Sequence, residues 1–397
     1  MSRYYSISTF LRQVPNALLD RYFQTRGVHS RVKLQDVGET DTERLMEMWN
    51  SFPGNKQGQM EAECRVIFEM SCEKGFRAIL DEAKSQLGET SDEYVELVEK
   101  LTLLGGHYER AMTVFLDHQI YWKGGTRFYR ADTISAWRKR KNLPRKTAAT
   151  DRASRNRLAE LMSSYFHYTE GRGSNCLVEY YRRGDRDYFF AYPEDYSQHS
   201  IEWQNGKFER RPHKPAFEII YVYCQKDGTL DVHHRGPYRA IESLHEIFVK
   251  AILNEDLPPD PKDERVYNLN PLASQDFRFN YDPSSGIERV AVKKLRLSSK
   301  VNRGDRIIFE ANTGRDDKAV YELLDKTLLP KHRSQYHVTQ VEIGAVVATF
   351  DSESPKSTTI RITHPNSCSL KYDEVDLKLR AMLEASGIEP KKPQEVD

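Results

Sequence analysis

One segment of this 397-residue chain, residues 137–157, has the side chains to bind phosphate. It carries nine basic residues and one acidic residue, net +8, whereas the whole chain has a net charge of only +1. Crowded like charges repel one another unless a counter-charge offsets them, and phosphate oxygens accept strong hydrogen bonds from Arg and Lys. We therefore predict that this basic segment contacts the phosphate backbone of DNA or RNA. Its candidate side chains are Arg138, Lys139, Arg140, Lys141, Arg145, Lys146, Arg152, Arg155 and Arg157.

The second half of the basic segment leads into an amphipathic helix. Leu158, Leu161 and Met162 follow Arg152 at helical spacing. The first turn of a helix has free N–H groups, which bind anions. We expect these amides to add to the phosphate site.

Two other interpretations of the basic segment stay open. Its cations can pair with acidic residues of the flanking regions, both of which are net negative, and then remain a solvated loop. The tract also has the composition of a nuclear-localisation signal.

Aromatic residues are concentrated after the basic segment. Fifteen of the 59 residues from Tyr165 to Tyr223 are Phe, Tyr or Trp, against 11% over the chain. Strands such as residues 188–192 need a buried face, so core packing is the favoured interpretation of these rings. The alternative is a sheet that displays aromatics beside a basic strip, an arrangement that binds single-stranded nucleic acid.

Motifs for catalysis are largely absent. The chain has neither a glycine-rich phosphate loop nor a dinucleotide fingerprint. Asp231 and His233 share one face of a predicted strand, but one carboxylate and one imidazole are more typical of a sheet surface than of a site. We predict no bound metal and no cofactor. A metal-dependent nuclease or other hydrolase, with its site assembled from distant residues, stays open as an alternative.

Composition limits the other possibilities. The five cysteines show no metal-ligand spacing, and their odd number predicts reduced thiols and a cytoplasmic location. No run of 18 apolar residues occurs, so we expect no membrane span. The near-neutral charge excludes a uniformly basic nucleic-acid coat.

The chemistry-bearing residues have to be positioned by a multidomain α+β fold. We predict a helical N-terminal bundle followed by two antiparallel, β-rich α+β modules. Helical spacing after Thr40 and Thr90 predicts helices capped by those two residues. The predicted boundaries are 1–135 for the helical domain, 136–170 for a basic hinge and helix, 171–254 for a β meander plus helix, 255–274 for a linker, 275–388 for an α+β sandwich and 389–397 for a tail.

Turn residues define the predicted strands. Gly184, Asn205-Gly206 and Asp227-Gly228 predict hairpins within a meander of about six strands. After the linker, strands are predicted at 277–281, 287–297, 306–311, 336–350 and 357–364, with helices at 317–328 and 374–385. Apolar residues change faces along 287–297, which predicts a bulge near Lys293-Lys294.

The leading functional hypothesis is a non-enzymatic nucleic-acid-binding or regulatory protein that contacts the backbone or a single strand. A scaffold subunit of a larger assembly, whose basic segment binds an acidic protein partner, is the second hypothesis.

Overall fold

The computed structural model describes residues 4–29, 33–204, 206–259, 266–302, 304–348 and 355–390. These residues form helices, one antiparallel sheet of ten strands and a separate sheet of two strands, which confirms the α+β class. The chain divides into two compact units, one of Met1–Thr133 with Arg182–Gly184 and one of Ile134–Tyr181 with Asp185–Asp397. Within the described ranges, no helix combines the length and the apolar character needed to cross a membrane.

The first unit is helical, and polar caps set where its helices begin. The carboxylate of Asp41 accepts the backbone N–H of Arg44, and the Ser91 hydroxyl accepts that of Tyr94, both at 3.2 Å. The predicted caps, Thr40 and Thr90, are each wrong by one residue, because a neighbouring short polar side chain takes the role. The helices are α1 (Ile7–Gln13), α2 (Asn16–Thr25), α3 (Thr42–Asn50), α4 (Gly54–Met70), α5 (Glu73–Leu87), α6 (Asp92–Thr102), α7 (His107–Asp117) and α8 (Gln119–Asp132).

Helices α5 and α8 approach each other closely because α8 carries two adjacent glycines. A Cβ placed on Gly124 would lie 2.1 Å from the Glu82 carboxyl carbon. A Cβ on Gly125 would lie 3.0 Å from the Ile79 Cα, which is too short for a real contact. The absence of side chains on α8 therefore sets the distance between these two helices.

The second unit contains both sheets. Ten strands have the order β2-β3-β6-β7-β1-β12-β11-β10-β8-β9, whereas β4 and β5 pair only with each other among the described residues. The strands are β1 (Trp137–Arg140), β2 (Cys176–Arg183), β3 (Arg186–Pro193), β4 (Gln198–Gln204), β5 (Lys207–His213), β6 (Ile219–Cys224), β7 (Thr229–His234), β8 (Ile287–Ser299), β9 (Arg306–Glu310), β10 (Tyr336–Val347), β11 (Lys356–Thr363) and β12 (Ser367–Cys368).

Strand β1 lies in the middle of the ten-stranded sheet and joins its two halves. Arg138 is opposite Val232 of β7 on one side and Ser367 of β12 on the other, in antiparallel register. The strands of the two β-rich modules predicted from sequence therefore lie in a single sheet. The basic segment begins as the strand that connects them.

Helices cover opposite faces of the two halves. One core packs side chains such as Phe166 and Phe248 on Tyr221 and Val232, whereas the other packs Leu379 and its neighbours on strands β8, β10 and β11. Because side chains alternate along β1 and β12, the first core shares a face with Arg138 and the second with Trp137 and Cys368. The helices of this unit are α9 (Arg152–Glu170), α10 (Ala240–Phe248), α11 (Ala319–Thr327), α12 (Pro330–Arg333) and α13 (Glu374–Ala385).

Some local predictions are confirmed and others are wrong. The register between β8 and β10 shifts at Lys293, which confirms the bulge. The six-stranded meander is wrong, because β4 and β5 form their own sheet. No strand forms at 277–281, where the Asn280 amide donates to the Ser386 hydroxyl instead of a ladder partner. Residue Asn205 of one predicted turn lies outside the described residues.

The predicted linker and tail contain core residues. Tyr267 and Leu272 are buried in the second core, and Glu389 is buried as well. The linker residues 260–265 and the tail residues 391–397 lie outside the described residues.

We expect Gly125→Ala to lower the free energy of unfolding of the first unit by about 1–3 kcal/mol, because the new methyl group overpacks the contact with Ile79. Gly58→Ala is the matched control. Gly58 lies exposed in α4, and a Cβ there meets no atom within 4 Å. Replacing it should stabilise the helix by about 0.5–1 kcal/mol. Urea denaturation followed by circular dichroism measures both changes, and effects of equal sign would contradict the close approach.

Candidate nucleic-acid interface

The first part of the basic segment is built into the sheet as β1. The Lys139 amide donates to the Asn366 carbonyl at 3.0 Å, and the Asn366 side chain returns a bond to the Lys139 carbonyl at 3.1 Å. Trp137 is buried beneath it with its ring 5.9 Å from the His233 ring. The buried tryptophan and the ladder on both sides fix the direction of each β1 side chain.

Lys139 points into the protein and is paired there. Its ammonium lies 2.5 Å from Glu389 Oε1 and 3.8 Å from Asp231 Oδ2, and its side chain is only 7% exposed. The Tyr372 hydroxyl donates to the same Asp231 oxygen. Lys139 is therefore corrected from a phosphate-binding candidate to a buried ion-pair partner.

The neighbours of Lys139 are also engaged within the chain. Arg140 is buried, and its Nη2 donates to the Pro258 carbonyl at 2.5 Å. The Lys141 ammonium donates to the carbonyls of Val266 and Pro390 at 3.1 and 2.9 Å. Burial lowers the pKa of Lys141. Arg140 and Lys141 are removed from the candidate set for the same reason as Lys139.

Lys139, Asp231, Tyr372, Arg380 and Glu389 form what we call the central ion cluster. The Arg380 guanidinium lies 4.2 Å from the centroid of the Tyr372 ring and 3.6 Å from Glu389 Oε2. Burial by itself would raise the pKa of Glu389, but Lys139, Arg380 and Lys141 together lower it. The carboxylate is thus held ionised inside the protein.

Sequence reasoning missed the acidic half of this cluster. Glu389 is separated from Lys139 by 250 positions, and it falls in a stretch whose Pro and Lys residues are typical of a tail. Tyr372 has no periodic or motif signal either. A search for buried partners of the basic strand needs the sheet order, which the sequence does not provide.

After β1 the chain leaves the sheet as a loop that is held through its backbone. The Tyr223 hydroxyl donates to the carbonyls of Pro144 and Lys146 at 2.7 and 2.8 Å. The Leu143 amide donates to the Gly228 carbonyl, and a Cβ on Gly228 would lie 2.7 Å from the Leu143 oxygen. Because the backbone of the loop is bonded inward, its long side chains point away from the core.

The outer cations differ in their partners. The Lys146 ammonium pairs with the Glu255 carboxylate, and Arg157 Nη1 donates to the Asn254 side chain at 3.2 Å. Arg145 and Arg152 are exposed, and no acidic partner contacts them among the described residues.

Two further members of the predicted set are intermediate. Arg155 is half-buried at the start of α9. Arg138 is also half-buried, and its guanidinium lies 5.2 Å from the centroid of the Tyr238 ring. The accessible basic surface is thus formed by Arg145, Lys146, Arg152, Arg155 and Arg157, which we call the outer basic set.

The N-terminus of α9 does not offer the expected free amides. Asp151 caps the helix, with its carboxylate accepting the Ser154 amide at 3.0 Å and the Ser154 hydroxyl at 2.7 Å. These hydrogen bonds lower the pKa of Asp151. The expectation of an anion site at this helix end is wrong, because a carboxylate of the chain already occupies it.

Most of the concentrated aromatic residues form the core. Phe189, Tyr221 and Tyr223 are buried beneath α9 and α10, and the Tyr221 ring stacks on Phe248 at 5.0 Å. The favoured interpretation, core packing, is confirmed for these rings. Trp203 and Phe208 are the exception, because both are exposed on the β4–β5 sheet.

The Asp231 and His233 pair has structural partners instead of a shared site. Asp231 is engaged by Lys139 and Tyr372, and the His233 ring nitrogen Nδ1 lies 3.0 Å from the Ala136 carbonyl. His234 faces the other way, and burial lowers its pKa to about 4. In the part of the chain that the structure describes, no three His, Cys, Asp or Glu side chains are grouped to hold a metal.

The cysteines are all free, as their number predicted. Burial raises the pKa of Cys64 and Cys176 to about 12 and that of Cys224 to about 11. These three thiols therefore stay protonated near neutral pH and are poor nucleophiles.

No protein-family model and no curated protein matches this chain.

We expect Lys139→Met to lower the free energy of unfolding of the second unit by about 3–5 kcal/mol, because it leaves two buried carboxylates without their ammonium partner. Arg145→Met is the matched control: it removes an exposed charge and should change stability by no more than about 0.5 kcal/mol. Thermal or urea unfolding compares the two variants with the wild type. Equal stability of the two variants would show that the central ion cluster does not support the sheet.

The loss in Lys139→Met should also depend on pH. Because the folded pKa of Glu389 is lowered, its ionised form contributes its full stabilisation above the unfolded value of about 4.3. That contribution is lost as the pH falls through the lower folded pKa. The difference in stability between wild type and variant should therefore shrink in unfolding curves measured at successively lower pH, and a constant difference would contradict this assignment.

Proposed function

We propose that this chain is a non-enzymatic nucleic-acid-binding or regulatory protein that contacts the phosphate backbone through the outer basic set. The observation that carries the proposal is that Arg145 and Arg152 are exposed and have no acidic partner among the described residues. Residues 145–157 carry five basic side chains and one acidic side chain, net +4. A guanidinium group binds a phosphate with two parallel hydrogen bonds, so these two arginines suit such a partner.

The loop that carries Arg145 is well suited to hold a polyanion. Tyr223 anchors two of its carbonyls, and the Ala149 amide donates to the Ile252 carbonyl at 3.1 Å. A loop whose backbone is already ordered loses less conformational entropy when its side chains bind. The outer basic set therefore presents its charges from a fixed framework.

Binding of this kind is largely independent of base sequence. Phosphate contacts set position and affinity, whereas sequence is recognised at the base edges. Nothing about the outer basic set favours one base over another, so DNA and RNA backbones are both suitable partners.

Two wider features belong to the same proposal. We infer that the helical residues up to Thr133 act as a separate N-terminal bundle, which their own hydrophobic core and compact grouping support. The five free cysteines support action in the cytoplasm, where thiols stay reduced.

A protein-interaction scaffold is the second candidate, and one observation favours it. Strand β9 lies at the edge of the ten-stranded sheet, and Ile308 on it is exposed. An exposed edge strand can pair with a strand of another chain. In this alternative the outer basic set binds an acidic protein surface. Partners that co-purify after nuclease treatment would favour the scaffold.

Arg145→Ala/Arg152→Ala tests the main proposal by fluorescence anisotropy with a labelled duplex at several salt concentrations. We expect weaker binding, and a log–log salt slope about 1.4–1.8 smaller than in the wild type, because each lost phosphate contact removes about 0.7–0.9. The matched control is Arg315→Ala/Lys318→Ala, which removes two exposed cations elsewhere in the second unit. Unchanged affinity and slope in the first variant, or equal losses in both, would overturn the proposal.

A further inference from the structure

Strands β4 and β5 form a two-stranded ribbon whose residues pair from Gln198–His213 to Gln204–Lys207. Among the residues that the structure describes, neither strand pairs with a further strand. A two-stranded hairpin has no interior of its own, so its side chains stay exposed unless something covers them. The ribbon is therefore a surface element whose composition is free to serve binding.

Alternation divides the ribbon into an apolar face and a polar face. Trp203 lies opposite Phe208, and Ile201 lies opposite Arg210 on the same face. The Trp203 side chain is 74% exposed, Ile201 63% and Phe208 54%. The two aromatic rings are 5.6 Å apart in an edge-to-face arrangement, which keeps ring surface accessible to a ligand. This face concentrates exposed aromatic surface that the buried meander strands do not offer.

The base of the ribbon is firmly held. Arg172 pairs with Glu170 and Asp195 at 2.7 Å, and its guanidinium lies 4.0 Å from the centroid of the Phe217 ring. Burial opposes the charged form of Arg172, but these two carboxylates raise its pKa. On the other side of the base, Lys214 pairs with Glu194 at 2.9 Å. The ribbon thus has a fixed origin on the second unit.

The charges of the ribbon suit an anionic ligand. Residues 198–214 carry four basic side chains and two glutamates, net +2. Arg211 lies 3.6 Å from Glu202, whereas Lys207 and Arg210 have no acidic partner among the described residues. Both free cations lie within two residues of Phe208. Exposed rings beside free cations are what single-stranded nucleic acid requires, since bases stack on the rings while phosphates bind the cations.

We propose that the apolar face of the β4–β5 ribbon binds single-stranded nucleic acid by stacking unpaired bases on Trp203 and Phe208. In a duplex the faces of the bases are covered by their neighbours, so this face selects unpaired strands. The inference deepens the proposed function and rests on it for the second contact surface, the outer basic set.

Trp203 supplies a direct signal for the test. The chain has four tryptophans, all among the described residues, and Trp49, Trp122 and Trp137 are buried. Quenching by a ligand that stacks on a ring therefore reports on Trp203. We expect an oligothymidylate of about 15 nucleotides, within the usual range of site sizes, to quench the fluorescence of the full chain. A duplex of equal length should not.

Trp203→Ala/Phe208→Ala should weaken oligothymidylate binding at least about 5-fold, the lower end of what one stacked base contributes, and leave duplex binding unchanged. Trp203→Phe keeps a ring at this position and should retain most of the affinity. Since the two rings also stabilise the ribbon, this conservative variant separates loss of stacking from loss of structure. Arg145→Ala/Arg152→Ala should show the reverse pattern, with weaker duplex binding and quenching retained.

The outcomes distinguish the two proposals. Oligothymidylate that binds without quenching, or equally well to Trp203→Ala/Phe208→Ala, overturns the ribbon proposal and leaves the outer basic set standing. Quenching by oligothymidylate with no effect of Arg145→Ala/Arg152→Ala overturns only the proposed basic surface. If the wild type is a dimer without quenching, and the double ring variant is a monomer by sedimentation, the ribbon face binds a second copy of this chain and the proposal is wrong.

Discussion

The arrangement of the second unit depends on one ammonium group buried in the middle of a sheet. Removing Lys139 from water costs several kcal/mol, and only close carboxylates can offset that cost. Glu389 at 2.5 Å and Asp231 at 3.8 Å supply them, on the same face as the second core. A slip of β1 by one residue would move the ammonium to the opposite face, away from both carboxylates. The charge pairing therefore specifies the register of a strand that is only four residues long.

Strand alternation also explains how one basic run comes to have two roles. Within β1, Arg138 and Arg140 point toward the α10 side, where Tyr238 and the Pro258 carbonyl receive them, while Lys139 points the other way. Once the chain leaves the sheet after Leu143, the remaining cations have no neighbouring strand to cover them. A charge total over the whole segment combines side chains that hold the sheet together with side chains that face water.

Local signals in the sequence predicted much of the fold, and distant partners account for most of what they missed. Helix α13 has the predicted bounds, 374–385, because its apolar spacing and its capping by Asp373 are both local. The bulge at Lys293 follows from apolar residues that change faces within one strand. By contrast, β1 has no alternating apolar pattern, and its strand character comes from β7 and β12, which are distant in sequence. The candidate site shows the same division: exposed Arg145 and Arg152 could be predicted from composition, whereas the burial of Lys139 required Glu389.

The long separation between Lys139 and Glu389 has a consequence for how the chain is made. Synthesis on the ribosome proceeds at about 5–20 residues per second, so the 250 positions between them correspond to roughly 12–50 s. During that interval the helices of the first unit, whose core lies within an early stretch of chain, are free to collapse. Strand β1 meanwhile has left the exit tunnel with its ammonium still in water and half of its sheet not yet translated. Completion of the ten-stranded sheet is therefore a late event in the life of the nascent polypeptide, and chaperones that recognise unpaired strands have time to act on it.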